Sequence, residues 1–195
     1  MRLNEDFYRQ DALTVAQELL GKFIVRETDG QRIKAKIVET EAYLGPEDKG
    51  CHAYQNKKTA RTEVMFKQGG VAYVYLIYGL HNLFNVVVND KKPEAVLIRA
   101  VEPRQGLEMM KENRKIKSNK DLDLTNGPGK LTEALDIDRR FNDYDLISGD
   151  KLYLTSEQSN DFQILSSKRI NIDYAEEYKD KPWRFYIKGS QFTSV

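Results

Sequence analysis

The stretch Arg32 to Tyr43 constrains the fold most. Ile33, Ala35 and Ile37 alternate with Arg32, Lys34 and Lys36, a period of two that specifies a β-strand with one apolar face. The odd-numbered series then runs into Glu39, Glu41 and Tyr43. In an unbroken strand these share one face, with neighbours roughly 7 Å apart. The apolar face is therefore expected to end in acid and aromatic side chains. Carboxylates at the buried end of a strand are costly unless they are paired or used. Two readings stay open here. One is structural carboxylates that cap backbone or pair with an arginine. The other is a catalytic acid or base with an aromatic wall beside it.

The rest of the chain reads as short alternating elements. Asp11 is a plausible N-cap for a helix over 12–20, closed by Gly21. Lys22 to Glu27 reads as a strand, and Asp29-Gly30 is a type I′ hairpin signal that pairs it with Gln31 to Tyr43. A polar loop follows, opened by Gly45-Pro46 and carrying Cys51-His52, then a short helix over 61–66. Val71 to Val88 is the most apolar stretch, and it reads as two strands broken near Tyr78-Gly79. Tyr73 and Tyr75 share a face there. A tyrosine followed by glycine at a strand end is well placed to stand on a protruding tip; the alternative is three core tyrosines with satisfied hydroxyls. Ala95 to Val101 is a buried-looking strand that Pro103 is expected to end. It contains Arg99, which needs an anionic partner, Glu39 or Glu41 or a ligand. An amphipathic basic helix over 107–115 and an exposed loop over 118–123 come next.

Asn126-Gly127-Pro128-Gly129-Lys130 leads into a further helix. Glycines before a helix leave N–H groups free for an anion, and Lys130 adds charge. A simple turn and cap fits equally well. Strands over 151–155, 162–165 and 183–187 complete the chain. The expected fold class is α+β: a single mixed domain over residues 1–195, built on a mostly antiparallel curved sheet with flanking helices.

Bulk properties narrow the partners. The chain has 195 residues and a net charge of +1, so overall charge selects none. Basic side chains instead cluster at Lys111, Arg114, Lys115, Lys117 and Lys120, at Lys57, Lys58 and Arg61, and at Lys179, Lys181, Arg184 and Lys188. Such runs are commonly solvated surface, yet three of them on a near-neutral chain polarise it. The first ten residues hold no signal-peptide core and no run approaches ~18 apolar residues, so a cytoplasmic protein without membrane contact is expected. One cysteine excludes an internal disulfide. Cys51, His52 and His81 cannot supply zinc-finger spacing. Adjacent Cys51 and His52 diverge too far for a nucleophilic dyad.

Read together, VETEAYLGPED, the spaced His52, the tyrosine-rich YVYLIYG, Asn85, Arg99 within LIRAVEP, GPGKL and RFYIKGS resemble the 3-methyladenine (alkyladenine) DNA glycosylase family from about Leu13 to Ser194. The resemblance implies a monofunctional hydrolase that flips out alkylated or deaminated purines, such as 3-methyladenine and 7-methylguanine, from double-stranded DNA; activity on hypoxanthine and etheno-adenine varies across the family and is left open by the sequence. It implies no metal, no organic cofactor and no lyase step. It implies Glu41 as the base that activates water, with Arg99 as its cationic partner. It implies Tyr43, His52 and Tyr75 as walls of the base pocket, and Asn85 as the residue that clashes with the 2-amino group of normal guanine. Tyr78 is implied as the wedge that enters the duplex. Gly127, Gly129, Lys130 and Arg169 are expected to hold DNA phosphate, and nothing demands more than a monomer. Glu39, nearer the strand body, is expected to be structural.

The chemistry agrees. A base buried in a stack must leave it, and flipping costs a few kcal/mol. Stacking on aromatic rings returns about 1–3 kcal/mol per base. Asn171 stands where the family pattern has glycine, which bears on substrate range. The segment Tyr174–Asp180 is unusually acidic for a DNA-facing surface. Three rival readings are a helix-hairpin-helix glycosylase prompted by GPGK, a non-catalytic damaged-DNA-binding module on the same fold, and a glycoside hydrolase using Glu39 and Glu41 as a pair.

Overall fold

The computed structural model describes residues 1–28, 30–115, 120–157 and 161–194. Its frame is a curled antiparallel sheet of eight strands. These are β1 (Phe23–Thr28), β2 (Gln31–Tyr43), β3 (Ala72–Ile77), β4 (His81–Val88), β5 (Glu94–Gln105), β6 (Leu152–Thr155), β7 (Ile164–Ser167) and β8 (Arg184–Ile187). The order is β3-β4-β5-β2-β1-β6, and β8 joins β2 to β7. The helices are α1 (Glu5–Tyr8), α2 (Ala12–Glu18), α3 (Leu107–Arg114) and α4 (Pro128–Ala134). Asp11 caps α2, its carboxylate accepting from the N–H groups of Leu13 and Thr14, and Gly21 turns the chain out of it at φ +81. Helices α2 and α4 pack on the sheet, and α3 packs on α4. The expected α+β class is what the chain forms.

β2 is the spine. Its first half pairs with β1, its second half with β8, and its other edge with β5. The β1–β2 register closes at Thr28 opposite Gln31; of the expected turn, Asp29 lies outside the described residues, and Gly30 has φ +75.

The expectation of one unbroken face on β2 is corrected. Ile37 pairs with Val101 and Glu39 with Ala100, so Val38 has no partner on β5. Glu39 pairs with Ala100 and Thr40 with Ile98, so Arg99 in turn has none on β2. These bulges shift the side-chain phase by one residue. Before them Ile33, Ala35 and Ile37 enter the main core; after them Val38 and Ala42 do. Thr40 faces the same way and donates its hydroxyl to the Ala16 carbonyl at 2.7 Å. Glu39, Glu41 and Tyr43 thereby move to the opposite face.

The sheet is apolar on both faces near β3, β4 and β5, which explains their continuous hydrophobic runs. Ala72, Val74, Val86, Val88, Val96 and Ile98 enter the main core. Tyr73, Val87 and Ala95 enter a smaller cluster with Cys51, Ala53, Val64 and Met65, flanked by Tyr43 and Tyr75. That second face carries the site.

Several boundaries differ from the sequence expectation. β5 runs through Pro103 to Gln105, because the register slips between Lys34 and Ala35 opposite it and a bulge accommodates a residue without an N–H. The short helix expected over 61–66 is a single 3₁₀ turn, Glu63–Phe66. Of the loop expected over 118–123, residues 118 and 119 lie outside the described residues, and Asp121–Leu124 is a 3₁₀ turn.

Ile98 sits in the main core with no exposed surface. Ile98→Ala is expected to lower unfolding free energy by about 2–5 kcal/mol, read from urea midpoints at unchanged m.

Candidate active site

The phase shift puts two carboxylates on the second face, where Arg99, which both of them contact, lines a cavity of about 940 Å³. Glu39 and Glu41 have no exposed surface, and Arg99 is only 6% exposed. Arg99 bridges them, with Nε 3.1 Å from Glu39 Oε1 and Nη1 3.3 Å from Glu41 Oε1. Burial alone would lower the pKa of Arg99, but Glu41 and Glu39 outweigh it and keep the guanidinium charged. The sequence leaves its partner open between the two acids, and it takes both.

The two acids differ in what surrounds them. Glu39 is saturated: besides Arg99 it accepts from Arg184 Nη1 at 2.9 Å, the Ser194 N–H at 2.5 Å and the Ser194 hydroxyl at 2.8 Å. This fits its expected structural part. Glu41 accepts from the Tyr43 hydroxyl at 2.8 Å and the Ile170 N–H at 2.8 Å. With Arg99 that occupies three of the roughly four lone-pair positions of a carboxylate. Tyr43, Arg99 and Ile170 line the cavity. Burial, then the Glu41 charge, holds the Tyr43 hydroxyl well above its ordinary pKa, so it remains a donor.

The walls are aromatic. The Tyr73 and Tyr75 rings lie 5.1 Å apart, and His52 meets Tyr75 edge-on at 4.8 Å. His52 Nδ1 is 2.9 Å from the Tyr73 hydroxyl. Burial, helped by the Arg61 charge, lowers the His52 pKa to about 4, so the ring is neutral near pH 7. Burial raises Tyr73 to about 12, so the phenol keeps its proton. Asn85, on β4, donates its amide to the Tyr73 carbonyl at 3.1 Å and lines the same cavity. Cys51 is buried in the wall, and burial pushes its thiol up to about 12; it is no nucleophile. Among the described residues no His, Cys, Asp and Glu group could hold a metal ion.

The mouth carries the tip residues. Tyr78 at φ +53 and Gly79 at φ +69 form the β3–β4 turn, closed by the Leu80 N–H on the Ile77 carbonyl at 3.1 Å. Two positive φ values match the twist of a tight hairpin. Tyr78 is 78% exposed and Leu80 74%, so the tip presents apolar surface to solvent. Gly127, Gly129 and Lys130 line the rim. Gly129 lacks a side chain because a Cβ would come 3.0 Å from His81 Cβ. Lys130 Nζ donates to Asn126 Oδ1 at 2.7 Å.

Arg169 departs from the expected phosphate contact. Its side chain and that of Asp48 are both fully buried, and they form an ion pair at 2.6 Å. A guanidinium with no exposed surface offers nothing to a phosphate. The basic clusters are also thinner than the sequence suggests. Arg114 pairs with Glu133, Lys111 with Glu108 and Asp121, and Arg184 with Glu39; Lys117 lies outside the described residues. Asn171 holds φ +59, the conformation a glycine would take without strain, and Asn is among the residues that tolerate it.

Sequence reasoning misses four participants. Tyr73 is legible from its alternation with Tyr75. Arg61, with Cζ 4.5 Å over the Tyr75 ring, and Tyr174, whose hydroxyl donates to the Gly50 carbonyl at 3.2 Å, come from loops with no periodic signal. The Ile170 N–H is backbone and carries no sequence signature.

Residues 6–191 match the family model described as methylpurine-DNA glycosylase. A protein of Natranaerobius thermophilus is 57% identical over 197 aligned positions, covering all of both chains. One of Desulfitobacterium hafniense is 53% identical, covering all of this chain and 98% of its own. One of Clostridium acetobutylicum is 50% identical at the same coverage. Each bears the name "Putative 3-methyladenine DNA glycosylase".

The lowered His52 pKa carries a stability consequence. Below its ordinary value of 6.5 the unfolded chain binds a proton that the folded state refuses until about pH 4. Stability is therefore retained above pH 6.5 and lost as pH falls toward 4. Wild type is expected to lose up to about 3 kcal/mol through this group across that window. His52→Gln should flatten that part of the pH–stability curve, as measured by urea unfolding; an unchanged slope would contradict it.

Proposed function

The chain belongs to the methylpurine-DNA glycosylase family, and from that premise we propose that it removes alkylated and deaminated purines from duplex DNA by hydrolysing their N-glycosidic bond. The observation that carries this reading is the state of Glu41. It is a fully buried carboxylate fixed by Arg99, Tyr43 and Ile170, with about one acceptor position unspent, and those three residues line an aromatic-walled cavity.

Each part has a task in that reaction. The target bond lies inside the stack, so the nucleotide swings out before chemistry. Tyr78, on its rigid tip, fills the gap it leaves. The flipped purine enters between Tyr43, Tyr75 and the His52 edge, where stacking contributes about 1–3 kcal/mol. Asn85, its amide anchored to the Tyr73 carbonyl, stands against the exocyclic 2-amino group of a normal guanine. Alkylation at N3 or N7 makes the purine cationic and a ready leaving group. As the C1′–N bond lengthens, positive charge develops on the sugar. Glu41 offsets that charge, orients a water and accepts its proton, while Arg99 holds the carboxylate in place. The purine leaves and an abasic sugar remains. Gly127, Gly129 and Lys130 hold backbone phosphate without reading sequence.

Glu41→Gln retains shape and removes the base. It is expected to lower release of 3-methyladenine from alkylated duplex DNA by about 10²–10⁴-fold with affinity for abasic-analogue duplex retained. Near wild-type release would overturn the assignment. Such affinity in a wild type that releases nothing would favour a damaged-DNA-binding module instead.

Tyr78→Ser removes the wedge and leaves the pocket intact. Affinity for lesion duplex and for abasic-analogue duplex is expected to fall, while release from alkylated single strands, which need no gap filled, changes little. Equal affinity of the two proteins for the abasic duplex would remove the wedge role.

A further inference from the structure

Arg169 and Asp48 lie away from the cavity, yet they touch much of what holds Glu41. Their contact is bidentate, Nη1 to Oδ2 at 2.6 Å and Nη2 to Oδ1 at 2.7 Å. Arg169 Nη1 also donates to the Ala42 carbonyl at 3.0 Å, the residue after Glu41 on β2. Its guanidinium lies 4.7 Å from the Tyr43 ring centroid on one side and 5.0 Å from that of Trp183 on another. Tyr43 is the phenol that donates to Glu41 Oε2, and the residue after Arg169, Ile170, donates its N–H to Oε1.

Asp48 extends the same connection. It accepts from the N–H groups of Leu44 at 3.2 Å and Gly50 at 2.8 Å, which ties down the loop after β2. Gly50 has no side chain because a Cβ there would come 2.9 Å from Arg169 Nη2. The loop is shaped around the guanidinium.

A pair with no exposed surface is a poor source of stability. Desolvation cancels most of the attraction, and well-packed apolar residues of similar volume often do as well. What a planar, bidentate contact supplies is orientation. We propose that Asp48 and Arg169 are a positioning pair that sets the geometry of Glu41, through the Ile170 N–H and the Tyr43 ring. This rests on the reading of Glu41 as the water-activating base. Neither side chain touches substrate, so neither is catalytic.

Asp48→Asn breaks the pair while keeping its volume. Two quantities are read beside wild type and Glu41→Gln: the single-turnover rate on methylated duplex DNA at saturating enzyme, and the dissociation constant for abasic-analogue duplex. The rate is expected to fall about 10–100-fold, the effect of a small misplacement of a reacting group, while the dissociation constant stays put. Amide hydrogen exchange reports the link directly. The Ile170 N–H should lose protection in the variant while core amides such as that of Ile98 keep theirs. The single substitution strands a buried cation and risks misfolding. The double variant Asp48→Asn, Arg169→Met removes both charges and should show the same split. A wild-type rate in either folded variant, with Glu41→Gln inactive, would overturn the positioning role and leave the function standing. So would unchanged Ile170 protection, or parallel loss of rate and binding. Wild-type release by Glu41→Gln would overturn both.

Discussion

The structure depends on a one-residue slip. Had β2 kept its alternation, Glu39 and Glu41 would follow Ile33, Ala35 and Ile37 into the main core. Two carboxylates there would face aliphatic side chains, at a desolvation cost of several kcal/mol each. The unpaired Val38 on β2 and Arg99 on β5 move them to the other face of the sheet. The same irregularity places Arg99 opposite them, so the charges and their compensation arise together. Glu39 takes the structural load from Arg99, Arg184 and Ser194. Glu41 is left with a lighter set of partners beside the cavity. A site built on strands in the middle of a sheet is held more rigidly than one built on loops, which suits the role proposed for Glu41.

Much of this is legible in the sequence, and the failures have physical causes. Strands, hairpins and caps follow from periodicity and turn chemistry, and the exposed Tyr78 tip from a Tyr-Gly pair at a strand end. Tyr43, His52, Tyr75, Asn85 and Arg99 come together around one cavity, with Glu41 behind Tyr43 and Arg99. The face of β2 is misread from its alternation, although a signal is present: Ile37-Val38 places two apolar residues in succession, and Glu39-Thr40-Glu41-Ala42 then alternates in the opposite phase. Arg169 is misread because a basic residue in a polar loop looks solvated. Its partner Asp48 lies 121 positions away, and only the fold reveals the pair. The Ile170 N–H is out of reach altogether, since every residue but proline has one.

Substrate chemistry and local structure meet at the mouth. The Tyr78 tip is apolar and exposed, a form of surface that invites a partner. In the proposed function that partner is the gap in a base stack. The acidic segment Asp173–Asp180 reaches the same cavity through Tyr174, and it is partly neutralised by Lys49, which pairs with Glu176 and Glu177. Within that segment Glu176 adopts φ 51 and ψ −127, a conformation suited to glycine.

The central claim is that a carboxylate-activated water, and no amine of the protein, displaces the purine. The most direct measurement is to incubate the wild type with alkylated duplex DNA and EDTA in two parallel reactions, one without and one with borohydride. Free 3-methyladenine and a phosphodiester backbone intact until alkali is added are the predicted results without borohydride, and no trapped protein–DNA conjugate is the predicted result with it. A borohydride-stable conjugate, or strand breakage without alkali, would contradict the account, because either outcome requires a Schiff base at the sugar.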